Sequence, residues 1–346
     1  MPEEQETRGG RATAEMVAAL AQVSRVAVSR AFNPHASLKA DKRERILRVA
    51  RELNYTPDRA ARALVSGRTH LIGVIVPDVY SYWESQEIDA LTTALQNEGF
   101  ATLLFKTRTD YSMDEQLLAY MRGFNPDSVI AFVENVKPVT LTRFLDRAVP
   151  IYVDYPMAGA PAEPEHGPLY DRLNILQHSG IDQAVALLQG YGARRIAYLS
   201  GHGKSRASAA REATLRQVLE ERGFQPPILA PGDFGYETAY QATIDLFRVR
   251  GGADGVFAAN DVSAFGALDA LRHELGLRVP GDVKVVGFDD IAQSHWKSYN
   301  LTTVKFDLHE RVRALVRLIL RRLNDPQAES LVETLDTRLV VRGTVG

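Results

Sequence analysis

The chain has 346 residues, more than a single domain of about 150 residues holds, so two or three domains are expected. Its 45% hydrophobic and 24% charged residues are those of an ordinary globular protein, and the lack of cysteine excludes disulfides, thiolate zinc sites and cysteine nucleophiles. The net charge of −2 conceals an asymmetry: residues 1–69 carry 13 Lys and Arg against 8 Asp and Glu, whereas 70–346 carry 28 against 35. Without the acidic tip, residues 11–69 stand at 12 against 5. A basic head on an acidic body is the distribution that nucleic-acid binding by the head produces. Residues 1–10 are polar with no apolar core of a signal peptide, and no apolar run approaches the ~20 residues of a membrane helix, so a cytoplasmic location is expected.

Along the chain, TAEMVAAL (13–20) places Val17 and Leu20 at helical spacing, with Thr13 as N-cap. After the break Gln22-Val23-Ser24, Ser24 caps a second segment with Val28, Ala31 and Phe32 on one stripe, stopped by Asn33-Pro34. A third helix is predicted from about Ala40 to Leu53, with Ile46, Val49, Ala50 and Leu53 inward and Arg43, Arg45, Arg48 and Arg51 mostly outward. This is the helix-turn-helix plan. Tyr55-Thr56-Pro57 closes it, and DRAARALVSG (58–67) reads as a short linker helix, marginal in water by itself.

From Leu71 onward, β-rich runs at 71–76, 101–105, 128–132 and 150–154, then at 195–200, 255–259 and 283–289, alternate with amphipathic segments. Helices are predicted near 84–98, 113–122, 178–190, 207–222, 236–249, 262–275 and 307–323. Continuous apolar strands alternating with helices imply parallel sheets covered on both faces, and two series imply two subdomains with a ligand at the strand ends between them. The stretch 155–178, with GAPAEPEHGP, reads as a loop. Gly203-Lys204-Ser205 is not a phosphate-binding loop, because Tyr198 stands where that motif needs glycine. His309-Glu310 lacks the second histidine of a zinc helix, and no nucleophile–base constellation is visible. No enzyme activity, cofactor or metal is expected.

Two head segments, VAALAQVSRVAVSRAFN (17–33) and ELNYTPDRAARALVSGRT (52–69), closely resemble the lac repressor (LacI/GalR) family pattern VAxxAGVSxxTVSRxxN followed by ELxYxPNxxAxxLxxxxT. The body resembles the same family, and through it periplasmic sugar-binding proteins, at LIGVIVPDV, GYGARRIAYLSG, DGVFAANDVSAFGALDALR, LRVPGDVKVVGFDD and LTTV. Two departures stand out: Gln22 replaces the turn glycine and Met16 replaces the acid of a capping box. The resemblance implies an N-terminal all-α helix-turn-helix domain (11–56) after a tail (1–10), a hinge helix (57–69), and an α/β periplasmic-binding-protein-like core (70–346). That core has two doubly wound parallel-sheet subdomains, the N-subdomain about 70–172 and 306–335, the C-subdomain about 173–305 and 336–346. The chain is expected to cross between them three times, the last near Thr303–Asp307.

Carried over by position, the resemblance implies a sequence-specific, DNA-binding transcriptional regulator that binds a pseudo-palindromic operator as a dimer. The expected DNA contacts are Thr13, Ser24, Arg25, Val26, Ser29, Arg30, Asn33, Tyr55, Arg59, Ala61 and Leu64. Arg25 and Val26 would read base edges, serines and Thr13 would hold phosphates, and Leu64 would wedge into the minor groove. The expected effector contacts are Tyr82, Trp83, Asp154, Arg211, Phe234, Asn260, Asp261 and Asp289, donors, acceptors and rings suited to a small polyol. Glu84 disfavours an anionic ligand, which leaves a neutral sugar first and a nucleoside or purine second. Repression relieved by ligand is expected ahead of repression that requires it. A solute-binding protein of a transporter and an enzyme on a doubly wound fold are the competing classes; the basic head argues against the first, and turnover of a bound sugar, which would favour the second, is not expected.

Overall fold

The computed structural model describes residues 12–32, 36–57, 63, 67–76, 82–107, 115–132, 138–145, 148–156 and 170–346. Contacts divide the chain into a head, residues 1–69, and a body, residues 70–346.

The head has three helices, α1 (Ala14–Leu20), α2 (Arg25–Ala31) and α3 (Ala40–Glu52). Thr13 Oγ1 accepts from the Met16 amide and Ser24 Oγ from the Ala27 amide, each satisfying a donor the helix start leaves open. Val17, Ala18, Ala21, Ala27, Val28, Ala31, Ile46, Val49 and Ala50 form its core, and Tyr55 meets Phe32 edge-on at 5.8 Å. Small alanines let three short helices pack closely. Gln22 sits at φ +51°, the left-handed turn that a glycine would adopt without a Cβ penalty. Arg43 differs from expectation: it turns inward and donates to the Ala31 and Ala36 carbonyls at 2.9 and 2.7 Å, closing the C-terminal end of α2.

The body begins with β1 (Leu71–Val76), α4 (Tyr82–Asn97), β2 (Ala101–Lys106), α5 (Glu115–Gly123), β3 (Ser128–Ala131), α6 (Pro138–Phe144), β4 (Pro150–Asp154) and β5 (Asp171–Leu176). It continues with α7 (His178–Gly190), β6 (Ile196–Ser200), α8 (Arg206–Glu221), β7 (Ile228–Pro231), α9 (Tyr236–Val249), β8 (Gly255–Ala258), α10 (Asp261–Asp269), β9 (Lys284–Phe288) and β10 (Thr302–Lys305). The last elements are α11 (Leu308–Asn324), β11 (Val332–Asp336) and β12 (Arg338–Val340). Among the described residues, two six-stranded sheets form, ordered β11-β5-β4-β3-β1-β2 and β12-β10-β9-β8-β6-β7. Neighbouring strands are parallel except β10 and β12. Both sheets reverse direction of growth beside their first strand, a switch point where crevices open at the carboxyl ends of strands.

Three differences from the sequence expectation concern the boundaries. Strand β5 lies within the stretch read as a loop, and it extends the first subdomain to Leu176 rather than about 172. The crossing near Thr303–Asp307 is the second, between β10 and α11; the last is at Thr337, between β11 and β12. Asp171 explains why a strand begins on an acid: its carboxylate is fully buried and takes Arg322 Nε and Nη2 at 2.7 and 2.6 Å, fastening the end of α11 to the sheet.

The three crossings touch. Thr337 Oγ1 donates to the Leu176 carbonyl at 3.1 Å and accepts from the Gly180 amide at 3.2 Å. A Cβ at Gly180 would fall 2.5 Å from Val304 Cγ1 and 2.7 Å from Thr337 Oγ1. Gly180→Ala is therefore expected to lose about 1–3 kcal/mol in denaturant unfolding despite alanine's better helix propensity. Gly190→Ala, where no atom lies within 4 Å of the new methyl, is the control and should be neutral or stabilising. Equal stability of the two variants contradicts a tight junction.

Candidate DNA-reading helix and interlobe cleft

In the head, α2 presents Arg25, Val26, Ser29 and Arg30 outward, while its Ala27, Val28 and Ala31 enter the core. Val26 is 59% exposed, an apolar side chain on an otherwise polar face. Arg25 is held by Glu15 at 2.8 Å with both side chains largely in water, a pair worth about 0–1 kcal/mol and easily exchanged for another acceptor. Thr13 and Ser24 stand exposed at the starts of α1 and α2, and Tyr55 is half-buried against the core. Asn33, Arg59, Ala61 and Leu64 lie outside the described residues.

In the body, the strand ends of the two sheets face one another across a cleft. Asp154, ending β4, accepts from Arg206 at the start of α8 at 3.1 Å, an ion pair across the two lobes. Trp83 packs against the apolar clusters of both lobes and meets Phe306 edge-on at 4.3 Å. Tyr82, its neighbour, is 52% exposed. Phe234, at φ +55° in the turn after β7, lays its ring on Gly201, where a Cβ would fall 2.2 Å from it.

Arg211, on α8, is 3% exposed and lies 3.4 Å over the Phe288 ring. Its Nε donates to Gln177 Oε1 at 2.8 Å and its Nη1 to the Ala259 carbonyl. Asp289 follows β9 at φ +113°, a strained conformation for an acid, with its amide donating to the Val304 carbonyl at 2.7 Å. No described residue donates to its carboxylate. Burial raises the Asp289 carboxyl well above its ordinary value; Arg211 opposes the shift, and Asp261 and Glu84 add to it. A backbone at positive φ and a desolvated carboxylate near a fixed guanidinium set Asp289 apart from the paired acids of the body.

Two of the expected contacts also serve the protein's own packing. Asp261 is fully buried, and its oxygens are taken by the Ile291 amide at 2.9 Å, Ser294 Oγ at 2.6 Å and Thr303 Oγ1 at 2.5 Å. Asn260 caps α10 through the Ser263 amide at 2.9 Å and donates to the Phe234 carbonyl at 3.1 Å. Sequence reasoning did not single out Arg206, Gln177 or the buried pair Glu87–Arg311; an arginine facing inward from an otherwise apolar helix stripe was the available signal. Among the described residues, no group of three or more metal-ligating side chains forms, and no helix is long and apolar enough to cross a membrane.

Comparison with known proteins decides the family. Residues 15–58 match the model for bacterial regulatory proteins of the lacI family, and residues 185–345 match a periplasmic binding protein-like domain. The HTH-type transcriptional regulator CelR of Thermobifida fusca is 33% identical, over 97% of this chain and 98% of its own. The chain belongs to the lac repressor family. It is a DNA-binding transcriptional regulator and not an enzyme. Similar proteins include the ribose operon repressor of Halalkalibacterium halodurans, 26% identical over 95% of both chains. The structure of a CelR–cellobiose complex superposes with a TM-score of 0.67 at 29% identity, covering 96% of this chain and 100% of that one. The lac repressor dimer bound to operator and the anti-inducer ONPF shares the fold, with a TM-score of 0.82 at 24% identity over 97% and 99% of the two chains.

Burial raises the Asp261 carboxyl from 3.8 to about 7, against the hydrogen bonds from Ser294, Thr303 and the Ile291 amide. The folded state therefore holds a proton that the unfolded state has released between these values, and Asp261's contribution to stability is lost as pH rises from about 4 to 7. The stability of the wild type relative to Asp261→Asn should fall across that window, by up to about 1.4 kcal/mol per pH unit. A pH-independent difference contradicts the assignment.

Proposed function

We propose that the protein is a cytoplasmic repressor that binds a pseudo-palindromic operator as a dimer and changes its DNA affinity when a neutral saccharide occupies the cleft. The observation that carries the effector half is Asp289, a strained carboxylate with no described hydrogen-bond donor beside Arg211. Such a group wants hydroxyl donors. Asp154 is neutralised by Arg206, whereas Glu84, whose charge reaches Asp289, disfavours anions such as sugar phosphates. Aromatic faces at Trp83, Phe234 and Phe306 suit a sugar ring. The relation to CelR, and the cellobiose bound to that regulator in its complex, make cellobiose the first probe and D-ribose the second. A purine is the second reading, favoured by 27% identity to the purine-named repressor PurR of Vibrio campbellii.

For the DNA half, α2 lies in the major groove with Arg25 donating to guanine O6 and N7, and Leu64 enters the minor groove at the operator centre. Ligand releases the repressor by favouring a closed cleft, with a coupling of about 1–3 kcal/mol.

Fluorescence anisotropy on an operator selected from random duplexes tests both halves. Arg25→Ala should relax choice at one base pair per half-site by about 1–3 kcal/mol. Asp289→Ala should bind the operator as the wild type does and no longer respond to cellobiose. A full cellobiose response in Asp289→Ala contradicts the cleft assignment; no preference for any duplex over random competitor contradicts the whole reading.

A further inference from the structure

Arg311, in the first turn of α11, is 1% exposed, among the most deeply buried large side chains of the described residues. Its Nε and Nη2 clasp the Glu87 carboxylate, the Nη2 bond at 3.1 Å. That clasp uses one edge of a planar guanidinium, so the N–H bonds of Nη1 point away from Glu87. Nη1 is buried and has no hydrogen-bond partner among the described residues. A charged donor left in this state is costly unless something completes it.

What surrounds the guanidinium says what completes it. Its carbon lies 4.9 Å from the Phe306 ring centre, 5.5 Å from Phe132 and 5.9 Å from Trp83. Phe306 and Phe132 directly follow β10 and β3, and Trp83 is the second residue of α4, so the rings come from elements of both lobes. Tyr155, just after β4, also hydrogen-bonds the Arg311 guanidinium, which leaves Nη1 as its one atom without a partner among the described residues. The free end of Arg311 thus lies among rings carried by the strand ends and by α4. Glu87 neutralises the guanidinium, so the site offers strong donors without a net charge to attract an anion.

We propose that Arg311 is an effector-reading residue: Nη1 donates to an uncharged oxygen, a hydroxyl or ring oxygen, of a saccharide seated among the Trp83, Phe132 and Phe306 rings. Glu87 is its positioning residue. The inference rests on the saccharide reading above and adds the donor that selects for a neutral oxygen.

Isothermal titration of the full-length protein with cellobiose and its monodeoxy analogues tests it. Arg311→Lys keeps a cation for Glu87 but lacks Nη1. It should bind cellobiose about 10- to 100-fold more weakly, and one deoxy analogue should bind equally weakly to variant and wild type. Cellobiose affinity within twofold of wild type, or no analogue whose deficit disappears in the variant, overturns the proposal while leaving the saccharide reading intact. Should Arg311→Lys fail to fold by circular dichroism, wild-type crystals with cellobiose decide. A sugar oxygen within about 3.2 Å of Nη1 supports the proposal, and Nη1 bonded to Asp289 or to no ligand atom overturns it. Binding of neither cellobiose nor D-ribose overturns both readings together.

Discussion

The contact on which the body depends is the junction of its three chain crossings. Thr337 joins the Leu176 carbonyl to the Gly180 amide, and Val304 closes against Gly180 with no room for a methyl group. Three segments far apart in sequence are thereby held at one place. Packed segments of this kind rotate together more readily than they separate, because close-packed interiors resist local gaps. The lobes are thus joined at this junction and meet again where Asp154 pairs with Arg206. Under the proposed function, a ligand that favours one arrangement of the lobes over another shifts the population towards it.

Around this junction, buried charges divide into two kinds. Asp171 with Arg322, and Asp290 with Lys305 and Arg342, have their partners within the protein and hold elements together. Asp261 is likewise saturated by donors. Asp289 and the outer end of Arg311 are left incomplete. Removing one partner of a buried polar pair costs more than the pair contributes, so incomplete groups persist where another molecule supplies the partner. These unfilled valences, rather than the number of charges, are what the proposed effector site rests on.

The head was legible because its signals are local: caps at Thr13 and Ser24, an apolar stripe through Val28 and Ala31, and a break at Gln22. Most of the parallel strands were legible because burial on both faces makes them apolar throughout, as in LIGVIV at 71–76, fully or nearly fully buried. β5 was not, since DRLNIL alternates inward and outward residues and starts with an acid whose partner lies 151 positions away. The edge strands β7 and β11 are short or mostly exposed and carry little apolar signal. Family position put Asn260 and Asp261 in the ligand's reach, but not the helix cap that Asn260 makes or the bonds that bring Ser294 and Thr303 to Asp261. Arg311 and Glu87 were hidden for the same reason, being 224 residues apart and meaningful only as a pair.

The central claim is that one free energy links the cleft to DNA, and linkage makes it reciprocal. The most direct measurement is the Kd of cellobiose, or of whichever saccharide binds, with and without saturating operator duplex at fixed salt. The account predicts that operator weakens saccharide binding by the same factor, about 5- to 150-fold, by which saccharide weakens operator binding. A saccharide affinity that operator leaves unchanged would contradict it.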